Sequence, residues 1–133
     1  RIYARAGGVS EAVAETLARI LPKRAGALQP LKVDGIPQCQ KVLEQAKTGL
    51  LDANFIEGMA CLGGCVGGPG RIVGVEQSTN AVNDYGTAAA AATPVENPQV
   101  YQLLTRLGLE MSSSLLNVES PAGIVLARRI QKP

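Results

Sequence analysis

The stretch EGMACLGGCVGGPGR, residues 57–71, contains two of the three cysteines of the chain and six glycines. Cys61 and Cys65 form a CxxxC pair in this stretch. Paired thiolates on a flexible loop can ligate a metal ion or an iron–sulfur cluster. The glycines let the backbone curl and bring amide N–H groups close to cluster sulfides. The spacing alone also allows a local redox disulfide or two unrelated thiols in a tight turn.

Three further residues are candidates for the site. Two thiolates cannot complete a tetrahedral four-sulfur site, so further ligands must come from another segment or another chain. Cys39 could be one, but it lies on the apolar stripe of a predicted helix, where a lone cysteine typically packs as a small hydrophobe. Glu57 could be a buried proton-transferring acid or a strand-end carboxylate that accepts from loop amides. Met59 could pack in the core or flank a cofactor without ligating it.

The N-terminal half of the chain predicts an α/β fold, with helices packed on a small, largely parallel sheet. Apolar spacing predicts a helix over 9–21, and Gly7–Gly8 before it could cradle an anion or allow close helix packing. A short strand is predicted at 31–33, a helix at 37–48 and an extended segment at 54–57 that leads into the cysteine loop. This order is typical of a βαβ unit.

The C-terminal half is less regular. An alanine-rich segment predicts a helix over 78–92, and apolar spacing predicts another over 96–107. Residues 1–108 are therefore assigned to one domain, and 109–133 to an extension whose structure the pattern does not decide. Residues 23–29 are predicted as a turn.

Composition excludes several classes of function. With 46% apolar residues, 18% charged residues and a net charge of +2, we expect a globular protein without a basic patch, and hence no nucleic-acid partner. No window is apolar enough to span a bilayer and no signal peptide is evident, so we expect no membrane partner and a cytoplasmic location. The absence of histidine excludes Cys/His zinc sites and Ser-His-Asp catalysis within this chain. Because the chain starts without Met, we expect a fragment of a longer protein.

The segment Phe55–Gly70, FIEGMACLGGCVGGPG, closely resembles the third cysteine signature of the iron-only, or [FeFe], hydrogenases. That signature runs Glu-x-Met-Ala-Cys-x-x-Gly-Cys-x-x-Gly-Gly. The resemblance extends to the Gly-Gly-Val-x-Glu-Ala helix start at 7–12, to the Val-Asp-Gly-Ile segment at 33–36 and to Pro-Val-Glu-Asn at 94–97. It covers roughly residues 3–107.

The resemblance implies one lobe, the C-terminal one, of a hydrogenase large-chain catalytic domain. It implies that Cys61 ligates the [4Fe–4S] cubane of the H-cluster, and that Cys65 ligates it and bridges to the two-iron subcluster, which makes Cys65 the catalytic ligand. It implies that Met59 lies against the two-iron unit. The implied partners are the N-terminal lobe of the same protein and an electron carrier such as ferredoxin.

Departures from the family pattern matter as well. The Thr-Ser-Cys-Cys-Pro and Pro-Cys-x-x-Lys-x-x-Glu signatures, which carry the other two cluster cysteines, do not occur in this sequence. We therefore expect no bound cluster and no activity in the fragment alone. Gly67–Gly68–Pro69–Gly70 also differs from the commonest Gly-Gly-Gly-x-Pro form, and Gly58 replaces a bulkier residue. The alternative is a non-catalytic, hydrogenase-like protein of iron–sulfur assembly or sensing.

A half-site without its partner lobe has a physical consequence. Apolar residues around Phe55, Ile56 and Val66 are expected to lose their cover. The cysteine loop is then expected to be mobile or disulfide-linked in the isolated fragment, and a dimer could form through that face.

Overall fold

The computed structural model describes residues 2–109 and residue 119. Apart from Leu109 and Glu119, the predicted extension 109–133 lies outside these residues. The chain divides into two compact units, Arg1–Thr93 and Pro94–Pro133. The predicted domain boundary after residue 108 stays a prediction.

A parallel βαβ unit is the centre of the first compact unit. Strand β1 spans Pro30–Asp34, helix α3 spans Ile36–Lys47 and strand β2 spans Phe55–Met59. The two strands pair in parallel, with Pro30 opposite Phe55 and Asp34 opposite Met59. Parallel neighbours need a crossover connection, and α3 supplies it. The predicted α/β fold with helices on a small parallel sheet is confirmed.

Two helices precede the sheet. Helix α1 spans Gly8–Ile20, close to the predicted range, and packs against both strands, as α3 also does. Helix α2 is a single helical turn, Pro22–Ala25, which overlaps the start of the segment predicted as a turn, 23–29. Pro22 suits the first helical position because its missing N–H would be unpaired there in any case.

The starts of the two strands are joined by Asn54. Its side chain accepts from the amide of Gln29 at 2.8 Å and donates to the carbonyl of Ala27 at 2.6 Å, while its own amide donates to the carbonyl of Gln29 at 3.1 Å. These bonds fix the segment that enters β2 against the segment that enters β1. The carboxyl ends of both strands consequently meet at the opposite edge, where the cysteine loop begins.

The alanine-rich helix is shorter and earlier than predicted. Helix α4 spans Val75–Thr87, and Ala88 is its C-cap, so the prediction that 88–92 continues the helix is wrong. Alanine has the highest intrinsic helix propensity, but tertiary packing of an apolar face provides most of the stability of a helix in a protein. The alanine run offers no large side chain for such a face.

The second compact unit has one longer helix among its described residues. A 3₁₀ turn, Pro94–Glu96, precedes helix α5, Pro98–Arg106. The helix was predicted from residue 96, but Asn97 is its N-cap and accepts from the amide of Gln99 at 3.0 Å. An asparagine cap followed by proline is a strong helix start, which explains the later boundary.

Apolar side chains are poorly covered in the first unit. Among the described residues, the buried hydrophobic side chains are Leu104 and Leu109, both in the second unit. The large hydrophobic residues that are exposed in the first unit are Tyr3, Ile20, Leu21, Ile36, Leu43, Leu50, Leu62, Ile72, Val73 and Tyr85. So much open apolar surface is unusual for a free-standing domain and is typical of a surface that another element covers. No helix in the described part of the chain is long and apolar enough to cross a membrane.

Candidate metal-ligating loop

The cysteine loop, residues 60–70, begins where β2 ends at Met59. Only Glu57 of β2 is buried, whereas Phe55, Ile56 and Met59 are partly buried and Gly58 is exposed. A 3₁₀ turn, Cys65–Gly67, forms the second half of the loop. The loop therefore follows the strand as predicted, although the strand is less enclosed than a central one.

The two thiols of the loop have different environments. Cys61 is partly buried, Cys65 is exposed, and both are free. A Cβ atom placed on Gly68 would lie 3.4 Å from the Cys61 sulfur, so this thiol lies directly over the Gly68 backbone. The structure holds no disulfide between them, and both sulfurs are available as ligands.

Gly64, between the two cysteines, lies against the N-terminal segment of the chain. It is buried and has a φ of +88°. A Cβ atom there would lie 2.6 Å from the Ala6 amide nitrogen, 2.7 Å from the Met59 sulfur and 2.8 Å from the Arg5 carbonyl carbon. Both the conformation and the contact distances require glycine. The middle of the CxxxC sequence is consequently in close contact with residues 5 and 6.

Both the amide and the carbonyl of Gly63, the residue before Gly64, are hydrogen-bonded to other parts of the chain. The Gly63 amide donates to the Asp34 carboxylate at 2.6 Å, and the Gly63 carbonyl accepts from the Ala6 amide at 2.9 Å. The Gly64 amide donates to the Cys61 carbonyl at 3.0 Å. The polar backbone at the centre of the loop is thus bonded to the protein beneath it.

The sequence did not single out Asp34 as a site residue. The available signal was its position at the carboxyl end of a predicted strand, because the carboxyl ends of parallel strands meet at one edge. The sequence does not show which loop amide its carboxylate accepts from.

Glu57 links β2 to the start of α1. Its carboxylate accepts from the amides of Gly7 at 2.9 Å and Ser10 at 2.8 Å, with a longer contact of 3.4 Å from the Val9 amide. The residue is 5% exposed. Free amides at a helix N-terminus, together with the helix dipole, favour an anion there. The anion that occupies the Gly7–Gly8 helix start is a side chain of the chain itself.

The electrostatics of Glu57 follow from these contacts. Burial raises the pKa of the Glu57 carboxyl, but the Ser10 side chain and the amides of Ser10, Val9 and Gly7 lower it, and the lowering prevails. The Ser10 oxygen itself is buried and has no hydrogen bond of regular geometry to the described residues. A carboxylate held in this way stays ionised at neutral pH. Its geometry supports the amide-binding interpretation rather than proton transfer, although the amides belong to α1 rather than to the cysteine loop.

The other two candidate residues, Met59 and Cys39, meet at the end of β2. The Met59 sulfur contacts Gly64, so it packs at the base of the loop. The Cys39 thiol points to the carbonyls of Met59 at 3.5 Å and Val33 at 3.8 Å. In residues 2–109 no group of three or more His, Cys, Asp or Glu side chains comes together to hold a metal ion. The structure places Cys61 and Cys65 on one loop with the Met59 side chain against it, and places the Cys39 thiol against carbonyls of the two strands.

An open depression of about 540 Å³ lies beside the exposed thiol. Cys65 and Val66 line one side, and Gln77 and Ser78 of α4 line another. Ile72, also in its lining, is 96% exposed. The outward side of the cysteine loop is therefore accessible and combines apolar with polar side chains.

The sequence model of one protein family, described as the iron-only hydrogenase large subunit, C-terminal domain, matches residues 1–69. The match covers more than half of the 133 residues and includes β1, β2 and both loop cysteines. The chain belongs to this family. No curated protein matches the chain. The Pro-Val-Glu-Asn segment at 94–97 lies beyond the range that the iron-only hydrogenase model matches, so its resemblance to the family stays a prediction.

Proposed function

We propose that this chain is one lobe of the catalytic domain of an iron-only hydrogenase and supplies two cysteine ligands to its H-cluster. Cys61 and Cys65 would both ligate the [4Fe–4S] part of the H-cluster, and Cys65 would be the catalytic ligand. Met59 lies against the two-iron unit. The whole protein interconverts protons, electrons and hydrogen, 2H⁺ + 2e⁻ ⇌ H₂. The observation that carries the proposal is a pair of free thiols on one glycine-rich loop within the matched part of the chain.

The residues present fit part of such a cluster site. Thiolates are the ligands that iron–sulfur clusters take, and the loop offers two of them, one partly buried and one exposed. Gly68 lies directly under the Cys61 sulfur, so no side chain at this position occupies the space beside the thiol. When bound, the H-cluster supplies the redox chemistry of hydrogen. The residues of this chain hold it and fix the geometry of its loop.

The remaining ligands come, in this proposal, from the N-terminal lobe of the same protein. Leu62, Ile72 and Val73 of the cysteine loop and its continuation are exposed, which supports a covering lobe at this face. An electron carrier such as a ferredoxin exchanges electrons with the assembled protein. The proposal includes no membrane or nucleic-acid partner.

The test is a Cys65→Ala variant of the natural full-length protein, measured after anaerobic maturation of its cluster. We expect loss of the H-cluster signal in electron paramagnetic resonance and loss of hydrogen turnover. Cys39→Ala is the matched control, because the Cys39 thiol points to carbonyls of the two strands, those of Val33 and Met59, and lies outside the CxxxC pair. It should retain both the signal and the turnover.

Two results would argue against the proposal. An intact cluster signal and intact turnover in Cys65→Ala would contradict the assigned ligand. A natural protein that binds the cluster but turns over no hydrogen would instead be the non-catalytic assembly or sensing relative.

A further inference from the structure

Asp34 connects the end of β1 to the centre of the cysteine loop. Its carboxylate accepts from the Gly63 amide at 2.6 Å, and Gly63 lies midway between Cys61 and Cys65. The residue is partly buried. A hydrogen bond from an amide to a charged acceptor is stronger than one between neutral groups. This bond is therefore a major constraint on the loop conformation.

The adjacent residue strengthens the same connection. A Cβ atom on Gly35 would lie 3.1 Å from a methyl carbon of Leu62, so the Leu62 side chain lies over the turn that leaves β1. The Gly35 amide donates to the Met59 carbonyl at 2.9 Å, which fixes this turn to the last residue of β2. The cysteine loop thus rests on the Asp34–Gly35 turn, and Asp34 provides the charged contact.

We propose that Asp34 is a positioning residue for the two metal-ligating cysteines and that its negative charge tunes the cluster they hold. This inference rests on the proposed function. The positioning role rests on two hydrogen bonds of Gly63: its amide donates to the Asp34 carboxylate, and its carbonyl accepts from the Ala6 amide. The electrostatic part follows from a carboxylate bonded to the loop that ligates the cluster.

The sign of the electrostatic effect is fixed. Reduction adds negative charge to a cluster, and a nearby carboxylate makes that addition less favourable. Asp34→Asn keeps an oxygen that accepts from the Gly63 amide but removes the charge. At a fixed applied potential, we expect the ratio of reduced to oxidised cubane to rise about threefold to tenfold in this variant.

Removal of the acceptor should have a different result. Asp34→Ala leaves the Gly63 amide without its carboxylate, and loss of such an outer contact lowers metal affinity by about tenfold or more. We therefore expect reduced iron content in Asp34→Ala after anaerobic maturation of the natural protein, and unchanged iron content in Asp34→Asn.

Asp52→Asn is the matched control. Asp52 is exposed and lies in the segment that enters β2, at the opposite end of the sheet from Asp34. The same change of charge at this position should alter neither the iron content nor the redox ratio.

A separate measurement does not depend on the cluster. In the protein prepared without iron, hydrogen exchange of the Gly63 amide should be about tenfold faster in Asp34→Ala than in wild type. Asp34→Asn should have an intermediate rate, because its oxygen still accepts but carries no charge. If the exchange result holds while the natural protein binds no cluster, the proposed function fails and the positioning role stands. Unchanged exchange and unchanged iron content in Asp34→Ala would overturn the positioning role. A redox ratio in Asp34→Asn equal to that of wild type would overturn the tuning role.

Discussion

The inner and outer halves of the cysteine loop differ in how the chain supports them. The inner half, residues 61–64, is bonded to Asp34 and Ala6, and Gly64 is buried. The outer half, which we take as residues 65–70 of the loop together with residues 71–73 that follow it, has backbone bonds within the loop, from the Gly67 amide to the Gly64 carbonyl and from the Gly68 amide to the Cys65 carbonyl. Cys65 is exposed there and Ile72 is 96% exposed.

The two halves of the loop therefore differ in role: the inner half fixes the position of Cys61, and the outer half presents Cys65 at an open surface. The inner half is fixed by the lobe to which it belongs, so the position of Cys61 is set before any partner is present. The outer half presents Cys65 together with apolar side chains, which suits a surface completed by a second lobe. The sequence predicts a loop that is mobile or disulfide-linked; both cysteines are free, and mobility stays a prediction. We expect it beyond the Cys65–Gly67 turn, which packs against α4, and not at Cys61–Gly64.

The largest effect is expected at Gly64. Gly64→Ala forces a side chain into contact with Ala6 and Met59 at a positive φ, and should lower the free energy of unfolding by about 3 kcal/mol or more. Gly70→Ala is the control, since Gly70 has a similar φ of +86° but nothing within 4 Å of the added atom. It should cost about 1 kcal/mol. Urea unfolding followed by circular dichroism measures both, and equal costs would remove the distinction between the halves.

The second-largest effect on the free energy of unfolding is expected at Glu57, which links β2 to the start of α1. Glu57→Ala leaves the buried amides of Gly7 and Ser10 without their acceptor and should lower the free energy of unfolding by about 2 kcal/mol. Glu76→Ala is a suitable comparison, because Glu76 is an exposed acid in the first turn of α4. Its loss should cost less than about 1 kcal/mol. A Glu57→Ala variant as stable as Glu76→Ala would show that the α1–β2 link is dispensable.

The pH dependence of stability tests the charge of the same residue. The pKa of Glu57 is lowered in the folded protein, so its contribution is fully present above the unfolded value of about 4.3 and is lost as the pH falls through the lowered folded pKa. Glu57→Gln has no carboxylate to protonate, so it should lack the part of the acid-induced loss of stability that Glu57 causes. Urea midpoints measured from pH 7 down to pH 3 should therefore fall less steeply in the variant, and parallel curves would contradict the assignment.

The smallest effect is expected at the tip of the outer half. Ile72→Ser should change the free energy of unfolding of this lobe by less than about 0.5 kcal/mol, because the side chain is almost fully exposed. The same substitution should weaken assembly in the natural protein if a second lobe covers Ile72. A clear loss of stability in the lobe alone would show that the outer half is already packed.

Local sequence signals predicted the βαβ unit well. The helix at 37–48 and the strands on either side of it have clear apolar periods and glycine boundaries, and the observed elements agree to within a few residues. The alanine-rich helix was misplaced because intrinsic propensity was the only signal there. The position of α4 depends instead on its packing against the 3₁₀ turns at Ile2–Ala4 and Cys65–Gly67.

The candidate site was predictable in its residues but not in its connections. The CxxxC pair and its glycines identified the loop, and the Gly-Gly helix start and Glu57 were each recognised as anion-related features. Their pairing joins positions about fifty residues apart in sequence, which no local pattern shows. The contact of Asp34 with Gly63 is of the same kind, since it depends on the register of the two parallel strands.

The most direct test of the cluster assignment is the iron content of the natural protein after anaerobic maturation, compared between the Cys61→Ala/Cys65→Ala double variant and Cys39→Ala. We expect the double variant to lose the iron of the H-cluster while Cys39→Ala retains the wild-type amount. Wild-type iron content in the double variant would contradict the claim that this loop is one side of the cluster site.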